Sequence, residues 1–292
     1  MSDSVIFFLI QVLNGVQYGL LLFLVASGLT LVFGIMGIIN LAHGSFYMVG
    51  AYLAYAFAEA TGNLFLAILI AVPLSILLGL ALEYLFRPLY RRDHLYQVLL
   101  TYGLILVLEE SRSLIFGDDV HGVKIPDFLD FSLPLTANLS YPVYRLGISL
   151  VCLALAGAMA LLIARTRLGM AIRAGASNRE MVQSLGIDVG LVFRLVFAAG
   201  VALAAFAGMI AAPIASVFPG MGNQILIVSF VIVVIGGIGS IKGAFLGALL
   251  IGLADTFGQM LAPQYAGTSV YVLMAAVLLW RPAGLFGRGL PR

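Results

Sequence analysis

Residues 28–57 read GLTLVFGIMGIINLAHGSFYMVGAYLAYAF. A run of this length is too long for one straight crossing of a bilayer, which takes roughly 20 apolar residues, and too short for two. Near its middle stand Asn40, His43, Gly44 and Ser45, four residues that neither pack well nor favour a helix. Inside hydrocarbon every backbone polar group must be satisfied within the protein, so irregular backbone is tolerated only where it is buried or lines a cavity. Gly34, Gly37, Asn40 and Gly44 within about one span therefore predict a discontinuous helix whose break faces the protein interior. The Asn40 amide and the Ser45 hydroxyl are expected to cap its second half. Half-helices of this kind occur near substrate pathways in transporters.

The rest of the chain supports a membrane reading. Of 292 residues, 62% are hydrophobic and only 10% charged, and the mean hydropathy is +1.12. Soluble domains carry about a quarter charged residues. The apolar runs are long and unbroken, unlike the alternating segments of about 10 residues that build a transmembrane barrel. The expected fold is all-α: a polytopic transmembrane helical bundle of about eight to nine spans, including discontinuous helices. The candidate runs are 5–25, 28–57, 64–86, 95–116, 146–164, 193–217, 224–241, 243–260 and 268–281. Residues 1–292 read as a single domain. The net charge of +2 gives no reason to expect nucleic acid, and Cys152, the one cysteine, lies in an apolar run and reads as a small core residue. Residues 1–4, Met-Ser-Asp-Ser, carry no basic n-region, so the first apolar run is expected to be a retained helix.

Basic residues orient the chain. Eleven of the 15 Lys and Arg fall in three segments, Arg87–Arg92, Arg165–Arg194 and Arg281–Arg292. The positive-inside rule makes these cytoplasmic. The segment at about 117–144 carries Asp118, Asp119, Asp127 and Asp130 against Lys124 and reads as an outer loop. With one broken crossing over 28–57, the N-terminus falls outside and the C-terminus in the cytoplasm.

The basic segment at about 165–192 is the longest cytoplasmic connection. Asn178 or Ser177 can N-cap a short helix, Glu180 falls in its first turn, and Gly186 supplies a C-terminal stop. Met181, Val182 and Leu185 form one apolar face. Such a helix either docks into a partner's groove or lies on the headgroups with its arginines at anionic lipid.

Three stretches carry a resemblance: Gly28–Tyr55, the loop RAGASNREMVQSLGIDV over 173–189, and VIVVIGGIGSIKGAFLGALLIGLAD over 231–255. Together, and in this order, they resemble the permease family of ATP-driven (ABC) importers for branched-chain amino acids, over about residues 8–281. The resemblance implies a half-transporter of the bacterial inner membrane. Its partners would be a second permease subunit, homologous or identical, two cytoplasmic ATPase subunits that hold ATP and Mg, and a periplasmic binding protein. It implies no cofactor on this chain. It places ATPase coupling on Arg173, Ser177, Asn178, Arg179, Glu180, Met181, Leu185, Gly186 and Asp188. Related permeases serve other amino acids, urea or short amides, and these remain alternative cargoes.

Residues 39–50 have a fainter counterpart in 238–249: His43 and Lys242 each precede Gly, a small residue and Phe. Paired interrupted segments of this kind point to an internal repeat, and add Gly239 and Lys242 to Asn40, His43, Gly44 and Ser45 as candidate substrate-pathway residues. His43 has two possible tasks, contact with substrate or a hydrogen bond to exposed backbone at the break. The Gly243–Gly247 GxxxG is expected to serve intramolecular packing. Asn14 and Gln17 share a face and are expected to bond to neighbouring helices, while Glu83–Arg87 and Glu109–Arg112 are expected to pair. A stand-alone secondary transporter or channel would want a buried ionisable residue for ion coupling, and mid-span candidates beyond His43 are few. Neither Lys124 nor Lys242 belongs to a Walker A pattern, and no histidine begins His-Glu-x-x-His, so no hydrolytic activity is expected of this chain.

Overall fold

The computed structural model describes residues 3–90, 92–136, 139–177, 179–265 and 267–287. Its long helices are α1 (Asp3–Leu31), α2 (His43–Thr61), α3 (Leu64–Phe86), α4 (His94–Phe116) and α5 (Val143–Arg165). Two short ones follow, α6 (Arg167–Ser177) and α7 (Arg179–Ser184), and then α8 (Val189–Ala215), α9 (Met221–Gly236), α10 (Ile241–Leu261) and α11 (Thr268–Trp280). The one sheet among the described residues is a hairpin of β1 (Ser132–Pro134) and β2 (Ser140–Pro142), with Leu133 opposite Tyr141. The protein is an all-α polytopic bundle, as the composition predicts.

Among the described residues, five helices are long and apolar enough to cross a membrane: α1 with its extension to Met36, α3, α5, α8 and α10. α9 and α11 are apolar but have 16 and 13 residues. At 1.5 Å per residue they reach about 24 and 20 Å, short of a hydrocarbon core of about 30 Å. The expected boundary between a first run ending at 25 and a second beginning at 28 does not exist. α1 continues through it, with the Ser27 hydroxyl donating to the Leu24 carbonyl (2.8 Å) and Thr30 to Ala26 (2.7 Å). The helix then widens into a π-type turn, Val32–Met36, and stops at Gly37, whose φ is 66°. Hydropathy alone cannot see this boundary, because both sides of it are equally apolar.

Small residues bring the helices together. α1 and α10 run antiparallel, with Gly15 against Leu253, Gly19 against Ala248 and Leu249, and the Phe23 ring edge-on to Phe245 at 5.1 Å. A Cβ on Gly243 would collide with the Gly236 carbonyl, and one on Gly247 would lie 3.0 Å from that of Ile232. The GxxxG therefore packs α10 onto α9 within the chain, as expected. α2 and α8 meet backbone to backbone, Gly50 at Ala205 and Gly208 at Tyr47. Rings of Phe46, Phe86 and Phe197 fill the space beside them.

Connectivity sorts the two ends. The acid-rich segment follows α4 and precedes α5, so it lies at the opposite end of both helices from Arg87–Arg92 and from α6 and α7. At that end Arg112 reaches Glu109 (3.5 Å) and, more closely, Asp118 (2.8 Å), with a further bond to the Gly117 carbonyl. Donation from Arg112 and Ser113 holds the Asp118 carboxyl below the ordinary carboxylate range. His121 pairs with Val217 through both backbone bonds at 2.8 Å and stacks on Tyr55. At the other end Glu83 is buried and satisfied by Arg87 Nε (3.1 Å) and the Tyr90 hydroxyl (2.7 Å). The chain beyond α11 closes there too, with the Leu285 and Phe286 amides on the Ile235 and Gly236 carbonyls.

The glycine contacts make a direct prediction. Gly50→Val should destabilise the protein by about 1–3 kcal/mol, the usual cost of overpacking, read as a lower unfolding temperature in detergent. Gly103→Ala, where an added Cβ meets nothing within 4 Å, should leave that temperature unchanged or higher.

Candidate functional site

The break occupies residues 37–42. Ile38, Asn40 and Ala42 are fully buried, Ile39 and Leu41 half-buried and Gly37 exposed, so most of the non-helical backbone is covered by protein, as membrane depth demands. Asn40 Oδ1 accepts from the Ala42 amide (3.1 Å), and the Asn40 carbonyl accepts from the His43 amide (3.4 Å). Asn40 thus braces the break as expected, though its Nδ2 has no partner. Ser45 does not act as expected. α2 begins at His43, so Ser45 sits in its first turn, past the cap position, and its hydroxyl makes no hydrogen bond. Ala42 occupies the cap position with no side-chain bond to give.

His43 is buried, with Nε2 2.9 Å from the Val25 carbonyl of α1, eighteen residues earlier. A carbonyl only accepts, so Nε2 carries the proton. Nδ1 is left without a partner, and the ring stands edge-on to Phe46. Gly28 makes room for this contact: a Cβ there would lie 3.0 Å from His43 Cε1 and 2.7 Å from the Gly200 carbonyl. Gly44 is pressed on the Gly222 carbonyl. The histidine therefore ties the start of α2 to the last third of α1.

The second interruption lies over 237–240. Gly237 and Gly239 have φ of 93° and 76°, and Ser240 Oγ caps α10 by accepting from the Gly243 amide (3.1 Å). The π-type turn that leads into the first break touches the second interruption: a Cβ on Gly34 would lie 2.7 Å from Gly239 Cα. Both start a helix after a positive-φ glycine. Their matched side chains behave oppositely: His43 is buried and bonded, whereas Lys242 is exposed.

The basic loop is better ordered than one short helix. α6 precedes α7, turning sharply off α5 where Gly169 abuts the Leu162 and Ile163 carbonyls, and it packs against the Val32–Met36 turn. α7 ends as expected at Gly186, φ 79°. The Gly186 amide bonds to Gln183 (3.0 Å) and the Ile187 amide to Val182 (3.3 Å), which is the Schellman arrangement. The expected apolar face splits. Val182 is 4% exposed and turned into the protein, while Met181 and Leu185 are 62% and 71% exposed. Arg173 is exposed, and Asp188 caps α8 by accepting from the Leu191 amide (3.0 Å). Asn178, and the side chains of Ser177, Arg179 and Glu180, lie outside the described residues.

A cleft of about 640 Å³ opens at the acid-rich end, between α1, α5, α8 and α10. Gln11, Asn14 and Tyr18 line it from one face of α1, Arg145 from the first turn of α5, and Asp255 from α10. Arg145 Nη1 donates to Asn14 Oδ1 (3.0 Å), so Asn14 does bond to a neighbouring helix. Gln17, expected to do the same, makes no hydrogen bond among the described residues and instead lines the cleft. Arg145 in the first turn of α5 and Asp255 in the second half of α10 are ionisable groups that the sequence reading did not single out. The signal was present, since an ionisable residue within a membrane segment marks a functional site by default. Arg145 escaped because the apolar run after it starts at 146, and Asp255 because it ends a glycine-rich stretch. Among the described residues no cluster of His, Cys, Asp or Glu could hold a metal ion.

Comparison with known proteins assigns the architecture. Residues 11–280 match the family described as branched-chain amino acid transport system, permease component. The chain is 34% identical to the high-affinity branched-chain amino acid transport system permease protein BraD of Pseudomonas aeruginosa, covering 96% of each chain. It is 32% identical to the corresponding protein LivH of Escherichia coli K12, over 99% of this chain and 98% of the relative. It is 31% identical to LivH of Salmonella typhimurium over the same shares. No solved structure gives a significant match. A multi-pass bundle of apolar helices, interrupted twice and matched along nearly its whole length, belongs to the permease component family of branched-chain amino acid transport systems.

Proposed function

We propose that this chain is the membrane-embedded half of an ATP-driven importer of branched-chain amino acids in a bacterial inner membrane. Its N-terminus lies outside and its C-terminus in the cytoplasm. It pairs with a second permease subunit, takes substrate from a periplasmic binding protein, and draws on two cytoplasmic ATPase subunits, which bind ATP and Mg. The observation that carries this reading is the shape of the basic loop. α6 and α7 hold Met181 and Leu185 outward at i, i+4 spacing, while α6 sits on the π-type turn where α1 ends. Motion of a docked ATPase then reaches the break directly. π-type turns are common at functional sites because the widened ladder shifts at low cost.

In this mechanism the partner subunits close on ATP and α6 and α7 move with them. The two interruptions, linked through the π-type turn, shift together, with Asn40, His43, Gly44 and Ser45 on one side and Gly239 and Lys242 on the other. A ligand-driven change of this kind requires different contacts in the two states, and the exposed Met181 and Leu185 face supplies them. His43 serves as a tether and does not touch substrate. A stand-alone carrier is the rival reading, and uptake of leucine into liposomes by this chain alone would favour it.

Two outcomes follow. Gly186→Val forces a branched side chain into left-handed backbone, and Leu185→Asp places a charge on the docking face. Each should lower binding-protein-stimulated ATP hydrolysis and transport by about tenfold or more, equivalent to about 1.4 kcal/mol of coupling, while the membrane complex still assembles. Unchanged stimulation in both would refute the coupling role. At the break, His43→Ala should cost about 0.5–1.5 kcal/mol for the lost hydrogen bond to the Val25 carbonyl, seen as less folded protein. His43→Gln, which keeps a donor, should retain transport per folded molecule. Loss of transport by well-folded His43→Gln would instead make His43 a substrate contact.

A further inference from the structure

The cleft at the acid-rich end brings together two kinds of chemistry. A guanidinium and a carboxylate, Arg145 and Asp255, line it together with the aliphatic side chains of Leu21 and Ile214. The ion pairs among the described residues all involve Arg87 or Arg112, so the two charges in the cleft do not neutralise each other directly. Each is fixed by a neighbour and only partly used. Arg145 gives one bond to Asn14, and Asp255 Oδ2 accepts one from Gln259 Nε2 (2.7 Å). A guanidinium offers five N–H donors and a carboxylate about four acceptor positions. Gln17 and Tyr47, 5% and 3% exposed, line the same cleft with polar ends that make no hydrogen bond within the described residues. These unbonded polar ends are available to a ligand in the cleft. The volume falls in the range of about 300–1,000 Å³ typical of small-molecule sites.

We infer that this cleft is an entry site for a zwitterionic aliphatic α-amino acid. The Arg145 guanidinium takes the carboxylate and Asp255 the ammonium. Gln17 and Tyr47 complete the polar shell, and the side chain lies on Leu21 and Ile214. Opposite fixed charges held apart reject a ligand carrying only one of the two groups, because the other charge is then left unpaired. The cleft is thus where cargo released at the outer face first meets this chain. The inference rests on the importer reading above.

The test uses the complete complex, without binding protein, with Cys152→Ser and Thr256→Cys placing one thiol in the cleft. Modification by a cationic methanethiosulfonate is timed with L-leucine, with 4-methylpentanoate, which lacks the amine, and with 3-methylbutylamine, which lacks the carboxylate. L-leucine should slow modification about tenfold and each analogue less than about twofold, a difference near 1 kcal/mol. Asp255→Asn in the same background should abolish the protection. Met260→Cys, on the same wall, reports in place of Thr256→Cys if that variant does not assemble. Equal protection by the analogues, no protection by leucine, or protection that survives Asp255→Asn overturns the site. A thiol unreactive even without leucine means that another chain or lipid fills the cleft, and overturns it too. Binding-protein-stimulated ATP hydrolysis in the wild-type complex separates the two readings. If present without protection, only the site fails; if absent, the importer assignment fails.

Discussion

A helix that stops inside hydrocarbon leaves carbonyls and amides that water cannot satisfy, and the bond from His43 Nε2 to the Val25 carbonyl is what fixes the chain where this happens. It places the first residue of α2 beside the last third of α1, so the chain returns through six non-helical residues of which only Gly37 is exposed. The contact works only because Gly28 has no side chain and lets both His43 and Gly200 approach. Once α2 is anchored there, Gly44 meets α9 and Gly50 meets α8 at backbone distance. Such packing forbids small adjustments, so the region is suited to move as a unit.

The bundle keeps its two kinds of chemistry at opposite ends. At the basic end lie α6, α7, both helix interruptions and the chain past α11, joined by α6 on the π-type turn and Gly34 on Gly239. At the acid-rich end lies the cleft with Arg145 and Asp255. α1 and α10 run between them in glycine-mediated contact and contribute to both ends. Displacement of the interruptions therefore acts on the helices that line the cleft, through contiguous packed backbone.

Much of this was legible in the sequence because membrane physics is strict. Composition and run length required a helical bundle, and polar residues at 40–45 required a break. Gly186 announced the end of α7. What stayed hidden depended on geometry that hydropathy does not encode. The end of α1 at Met36 looks no different from its apolar neighbours. The position of Ser45 relative to the cap shifts with a helix start that the sequence leaves open by a few residues. Val182 and Leu185 are equally apolar, and only the packing of α7 decides which turns inward. Arg145 and Asp255 are more than a hundred residues apart and become a pair of interest only when α5 and α10 both meet α1.

Transmission from α6 and α7 to the interruptions is the claim on which the account stands. It is tested by the distance between spin labels at Met170 on α6 and Ile238 in the second interruption, both exposed, introduced as cysteines with Cys152→Ser. Pulsed electron spin resonance on the complete complex compares nucleotide-free and ATP-trapped states. The account predicts a shift of about 2 Å or more, the scale of helix displacements in switching proteins. An identical distance distribution in both states, with ATP hydrolysis and transport intact, would contradict it.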